Sequence, residues 1–321
     1  MLSSPQKSEL PSGPLAGLRV LELGSLIAAP FGTRLLADLG AEVLKVEAPG
    51  KLDPMREWGA VKDEGHSLWW PLQARSKKLL TLDLRSRAGQ ALCTELVTRC
   101  DVLVENFRPG TMERWNLGPE LLLAANPGLI YTRISGYGQD GPYASRPGFA
   151  SAGEAIGGLR HLNGFPGGPP PRTGLSLGDS LCAMFAVIGT LAALEHRRRT
   201  GEGQVVDAAI SESCLALLES VLPEYGRFGV VREPTGTAIA NNAPSNIYRS
   251  KDGRWMVIAA TSCSTAVHHS NSFSIARACT CLRASRSRQG VPPRDRRSPF
   301  SSIPAKERCS SALEATLARI C

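Results

Sequence analysis

The chain has 321 residues, of which 42% are hydrophobic, enough apolar material for a sizeable core in one large domain or two smaller ones, which excludes a disordered or fibrous protein. Its net charge of +8 is unevenly spread: residues 261–321 hold nine Arg and Lys306 against Asp295, Glu307 and Glu314, a local +7 that leaves +1 for residues 1–260. A nearly neutral body, and a basic segment whose only aromatics are Phe273 and Phe300, argue against nucleic acid as a partner.

Residues 1–13 read as a flexible N-terminus. Lys7 is the only basic residue before Pro14 and there is no apolar run, so neither a secretory signal nor a transit peptide is expected. From Pro14 to Gly136 short β-branched or Leu-rich runs alternate with helical patterns, as parallel strands linked by helices do. The pattern predicts strands over Leu18–Leu23, Glu42–Glu47, Leu79–Leu84, Asp101–Glu105 and Leu129–Ile134. Helices are predicted over Phe31–Leu39, closed by Gly40, and from about Arg87 to Thr98. The predicted fold is α/β, a Rossmann-like open parallel sheet with helices on both faces, in a large domain spanning 14–222. Ligands of such sheets gather outside the carboxyl ends of the strands, so Gly24-Ser25, Glu47, Asn106 and Ser135-Gly136 are candidates by position.

Residues 163–173 are too rich in Gly and Pro for a regular element and read as a loop. The loop leads to Gly178-Asp179-Ser180, the start of a long helix ending near Arg199. The longest apolar run in it, Leu181–Leu194, is shorter than the roughly 20 residues that a spanning helix needs, so a buried helix and no membrane partner are expected. A strand over Gln204–Ile210, a helix from Ser211, a turn at Lys251-Asp252-Gly253 and a strand over Arg254–Ala259 follow. Residues 223–260 read as a linker and the start of a smaller second domain. Beyond Ala260 apolar periodicity stops. There Ser, Arg, Cys and Pro dominate, a composition resembling a disordered segment or the product of reading a gene out of frame. Residues 261–321 are therefore not expected to form an ordered domain. Cys93, Cys100, Cys182 and Cys214 in the body have no C-x-x-C partner, which fits a reducing, cytoplasmic location and no metal site.

Two stretches carry a more specific signal. One is Leu36-Ala37-Asp38-Leu39-Gly40-Ala41-Glu42-Val43-Leu44-Lys45-Val46-Glu47. The other runs from Pro169-Pro170-Pro171-Arg172 through Asp179 to Arg197-Arg198-Arg199-Thr200-Gly201-Glu202-Gly203-Gln204-Val205-Val206-Asp207. With Asp101–Gly110 and Ile134–Tyr143 in the same order, they resemble the class III coenzyme A transferases from about Pro14 to Ala260. The resemblance implies transfer of coenzyme A from an acyl-CoA donor to a carboxylic acid acceptor, with acyl-CoA as substrate and no permanently bound cofactor. It implies that Asp179 is the nucleophile, forming a mixed anhydride and then an aspartyl-CoA thioester. A helix N-terminus suits such a carboxylate, although capping alone would explain an Asp there. The resemblance also places Asn106, Arg114, Lys77, Arg75 and Tyr137 in the coenzyme A site, and implies an interlocked homodimer completed by a returning C-terminal segment that is missing or replaced here.

The chain departs from the family pattern where many members have G-F-D-x-x-x-Q-A. It has Gly148-Phe149-Ala150-Ser151-Ala152-Gly153-Glu154-Ala155, losing the acid and exchanging Gln for Glu. Ala74, Ser76 and Leu79 also replace the usual polar residues around Lys77. A racemase of 2-methylacyl-CoA, the rival within the superfamily, pairs the aspartate with a histidine where this chain has Phe149, so transfer is preferred. His66 and His161 are weak substitutes. A truncated, non-catalytic chain that binds coenzyme A is the rival of a different class, and Glu154 and Arg172 are candidates for shaping substrate choice.

Overall fold

The computed structural model describes residues 12–239, 245–262 and 265–267. From the amino end, β1 (Arg19–Glu22), α1 (Ala28–Asp38) and β2 (Glu42–Glu47) are followed by a 3-10 turn over Pro54–Glu57. The short pair β3 (Lys62–Asp63) and β4 (His66–Ser67) precedes α2 (Trp69–Ala74), β5 (Lys77–Thr81), α3 (Arg87–Val97) and β6 (Val102–Glu105). Next come α4 (Thr111–Arg114), α5 (Pro119–Ala125), β7 (Ile130–Ser135), α6 (Ala150–Ile156) and α7 (Leu159–Leu162). The chain continues through α8 (Leu177–Thr200), β8 (Gln204–Ala209), α9 (Ile210–Leu215), α10 (Val221–Phe228), β9 (Asn246–Arg249), β10 (Trp255–Ser262) and β11 (Thr265–Val267).

Six strands form one parallel sheet in the order β5-β2-β1-β6-β7-β8. Alternate residues of a strand point to opposite faces, and here both faces are covered. Val20, Val43, Val102, Ile130 and Val206 meet Leu36 of α1 and Cys182 and Ala186 of α8 on one face. Leu21, Val46, Leu103 and Tyr131 meet Cys93 and Val97 of α3 and Leu122 of α5 on the other. The chain winds outward from β1 in one direction through β2 and β5, and from β6 in the other through β7 and β8. The switch between β1 and β6 opens a crevice at their carboxyl ends, where such sheets bind ligands.

Strands β1, β2, β6, β7 and β8 lie within one or two residues of expectation. β5 runs over Lys77–Thr81 and not over Leu79–Leu84, because the Lys77 side chain is buried among charged partners and belongs to the strand. α8 is, by length and composition, apolar enough to cross a membrane, contrary to the expectation from its shorter apolar run. In this fold its small residues Ala183, Ala186, Gly189 and Ala193 are buried, and it packs on α1, β7 and β8.

The described residues divide into two units, a larger one of 12–160 and 172–230 and a smaller one of 161–171 together with the described part of 231–267. The loop expected within the large domain thus groups in part with the smaller unit. In that smaller unit β9, β10 and β11 form an antiparallel sheet. β10 continues through Ser262 and β11 pairs back on it, so regular pairing extends past Ala260. The expectations for residues 1–11 and 268–321 lie outside the described residues.

Candidate active site

A cavity of about 480 Å³ opens at the switch point. Its walls come from the Ser25–Ala28 turn after β1, the Asn106–Pro109 turn after β6, Ser135-Gly136 after β7, and the start of α6; Asp179, in the first turn of α8, also lines it. Gly136 and Gly148 make the third wall possible. A Cβ on Gly136 would lie 2.6 Å from the Gly148 Cα, so the two backbones touch and bring Phe149 and Ala150 to the cavity.

Asp179 is half-buried. Burial, reinforced by the Glu154 charge and opposed by Arg172, pushes its carboxyl up to about 6. Ser176 makes no side-chain cap at the start of α8. The Gly178 amide instead donates to Glu154 Oε1 at 3.0 Å, while Arg160 Nη2 donates to Glu154 Oε2 at 3.1 Å.

The turn after β1 is pinned by the side chains of Lys45, Asn106 and Asp53. Lys45 Nζ donates to Gly24 O at 2.7 Å. Asn106 Oδ1 accepts from Ser25 N at 2.9 Å and Asn106 Nδ2 donates to Ser25 O at 2.8 Å. Asp53 accepts from Leu26 N, whose residue holds the left-handed backbone φ of 65°. Beneath the turn lies a buried charged cluster. Lys45 Nζ is 2.8 Å from Glu22 and 3.1 Å from Asp53, and Lys77 Nζ is 2.7 Å from Glu22, all four side chains being sealed from solvent. Burial would raise the Glu22 carboxyl, but the Lys45 and Lys77 charges outweigh it and hold it below its ordinary value. Below Asn106, Arg133 bridges Glu105 at 2.9 Å and Glu113 at 2.7 Å. Burial pushes Glu105 up to about 7 against the Arg133 charge.

Of the residues singled out in the sequence, Asp179 and Asn106 meet at the cavity, joined by Arg172. Glu154 is buried directly behind Asp179's turn. Lys77 is turned into the buried cluster, also donating to Thr33 Oγ1 at 2.9 Å and Pro30 O at 2.7 Å. Arg75 pairs with Asp38 on the surface through Nε at 2.9 Å. Arg114 is exposed and donates to Thr111 Oγ1. Tyr137 packs beside Gly148 and edge-on to Tyr143, with ring centroids 5.8 Å apart. None of these last four lines the cavity.

The sequence reading missed Trp58, Trp69, Arg108 and Arg146, which line the same cavity. Gly24, Ser25 and Glu47, candidates by position, line a second cavity of about 420 Å³ at the ends of β1, β2 and β5, which shares Ser25 and Phe107 with the first; the sequence reading missed Lys51, Arg85 and Trp115, which gather there. A lysine at position 45, between Leu44 and Val46 in the middle of β2, was a visible signal of the buried cluster.

Residues 15–271 match CoA-transferase family III. The chain is 57% identical over 253 residues to the succinyl-CoA–D-citramalate CoA-transferase of Chloroflexus aurantiacus, covering 79% of this chain and 63% of that protein. It is 46% identical to the succinyl-CoA–L-malate CoA-transferase alpha subunit of the same organism, covering 77% of this chain and 58% of that protein. The chain thus spans about three fifths of the length of these relatives. The crystal structure of a CAIB/BAIF family protein from Brucella suis superposes with a TM-score of 0.71 at 36% identity, covering 77% of this chain and 66% of that one. The fold, the switch-point cavity and these similarities agree, and the chain belongs to CoA-transferase family III.

Proposed function

We propose that the chain transfers coenzyme A between an acyl-CoA and a carboxylic acid, with Asp179 as the acyl-carrying nucleophile. The observation that carries this reading is the Asp179 carboxylate, half-buried in the first turn of a 24-residue helix and lining a cavity at the sheet's switch point. The helix N-terminus favours negative charge there, and a carboxyl raised to about 6 is both ionised at neutral pH and more basic than an ordinary aspartate. Its oxygen attacks the thioester carbonyl and expels the coenzyme A thiolate, leaving a mixed anhydride. The thiolate attacks the aspartyl carbonyl of the anhydride, releasing the donor acid and forming the aspartyl thioester. The incoming carboxylate then attacks that thioester, the thiolate leaves again, and its attack on the acceptor side of the new anhydride yields the product and restores Asp179.

Short dicarboxylates are the substrate class that the site favours. Arg108, Arg146 and Arg172 line the cavity beside Asp179, and a guanidinium suits a second carboxylate. Relatives named for succinyl-CoA, D-citramalate and L-malate support the same class. The second cavity, with Lys51, Arg85 and Trp115, suits the phosphates and adenine of coenzyme A. In this reading Asn106 serves the site by holding Ser25, and Lys77 by tying Glu22 at the end of β1 to Pro30 and Thr33 of α1, while Arg75, Arg114 and Tyr137 line neither cavity. The reading includes a homodimer, supported by apolar side chains exposed on α10, namely Leu222, Tyr225 and Phe228. It also includes a cytoplasmic location, supported by the free thiols of Cys93, Cys100, Cys182 and Cys214.

The test follows label exchange by mass, with succinyl-CoA as donor and a panel of mono- and dicarboxylic acids as acceptors. Transfer to dicarboxylates, lowered about a thousandfold or more in Asp179→Ala, is expected. Ordinary turnover by Asp179→Ala would sink the assignment, and a preference for monocarboxylic acceptors would sink the substrate class.

A further inference from the structure

Glu154 has no part in the chemical steps above, yet it is among the most completely buried carboxylates of the larger unit. It leaves α6 toward the start of α8 and accepts the Gly178 amide, one residue before Asp179. That amide is one of the free donors at a helix N-terminus, and the helix's own cap residue does not take it. The two elements approach closely: a Cβ on Gly178 would lie 3.1 Å from Glu154 Cγ and 3.2 Å from Ala150 O. A glutamine could make the same contact with Gly178 through its carbonyl oxygen, so hydrogen bonding alone does not require an acid. What the acid adds is a charge.

We propose that Glu154 is a positioning residue for the transfer reaction, fixing the first turn of α8 through Gly178 and setting a second negative charge behind the Asp179 carboxylate. The proposal rests on the reading of Asp179 as nucleophile. The groups that act on Asp179 electrostatically are Glu154 from α6 and Arg172 from the preceding loop, with Cys182 and Cys214 as its neutral neighbours from α8 and α9. Glu154 is itself partnered by Arg160, which lies 3.1 Å from Oε2 and leaves Oε1 to the Gly178 amide. A like charge favours the protonated form of its neighbour, in the direction found for Asp179. A more basic carboxylate is a stronger nucleophile toward a thioester, provided that it remains ionised at the working pH.

Two variants separate reach from charge. Glu154→Gln keeps the reach to Gly178 and removes the charge, whereas Glu154→Asp keeps the charge and shortens the reach. The carboxyl resonance of Asp179 is followed by 13C NMR against pH in the full chain, assigned by its loss in Asp179→Asn, alongside the pH profile of kcat/KM for exchange from succinyl-CoA. In Glu154→Gln the Asp179 titration and the acid limb of the profile should both move down by roughly one pH unit. In Glu154→Asp the titration should stay high while kcat falls about tenfold at unchanged acyl-CoA affinity. An Asp179 titration in Glu154→Gln that coincides with that of the unmodified chain overturns the proposal. So does a uniform loss of rate at every pH with the acid limb unmoved. Absence of exchange from the unmodified chain would instead overturn the transferase reading, and the resonance would still report whether Glu154 acts on Asp179.

Discussion

At Asp179 the demands of stability and of chemistry oppose one another. Its folded-state value of about 6 lies above that of an ordinary aspartate, so above pH 6 the ionised carboxylate lowers stability in full. The penalty fades as pH falls toward the ordinary aspartate range, and below it both states are protonated and nothing is lost. Asp179→Asn should therefore stabilise the chain by roughly 1–2 kcal/mol at pH 8, allowing for the solvent that reaches a half-buried group, and by almost nothing at pH 4. Thermal unfolding of the two chains at both pH values checks this, and an equal gain at pH 4 and pH 8 would mean that the charge is not the cause. Asn106 shows a different economy of function, since each end of its amide holds Ser25 while one N–H and one lone pair remain for the cavity that it lines.

At the scale of the element, the start of α8 is where spacing decides function. Gly178→Ala would bring a methyl group to 3.0 Å from Ile210 Cγ2, 3.1 Å from Glu154 Cγ and 3.2 Å from Ala150 O. Those contacts are tight, and the gain of roughly 1 kcal/mol in helix propensity offsets part of the strain. Stability is therefore expected to change by less than about 1 kcal/mol, while the displaced turn lowers exchange about tenfold or more. Denaturant unfolding and exchange rate, measured on the same preparation, check the split. A rate equal to that of the unaltered chain would show that the separation of α6 and α8 is not critical.

At the scale of the whole molecule, most of the large sheet was legible because its strands are buried on both faces and read as continuous apolar runs. The helix start at Asp179 was legible because Gly, Pro and a long apolar run mark it, whereas the role expected of Asp179 came from the resemblance and not from the pattern. What stayed hidden depends on which way a side chain turns at the end of an edge strand. Arg75 and Lys77 are two residues apart in one charged stretch, yet one pairs with Asp38 in the open and the other is sealed against Glu22. Nothing in their spacing separates those fates. Arg146 and Trp58 reach the cavity from loops whose paths no periodicity reveals. The parallel order around β1 likewise follows from pairing that only the folded sheet displays.

The sealed charged cluster beneath the Gly24–Leu26 turn also makes the site readable by covalent labelling. Lys45 and Lys77 are 1% and 0% exposed at their side chains, whereas Lys51, Lys62, Lys78 and Lys251 lie open to solvent. An amine acylating reagent reacts only with an accessible, unprotonated nitrogen, so the surface lysines should be modified at once and this pair only when the floor of the crevice opens. Peptide mass mapping over time then turns the pair into a clock for that opening. Modification of Lys45 and Lys77 in step with Lys78 would mean that the floor opens as fast as the surface reacts, and slow, simultaneous modification of the two would mark it as a single cooperative unit.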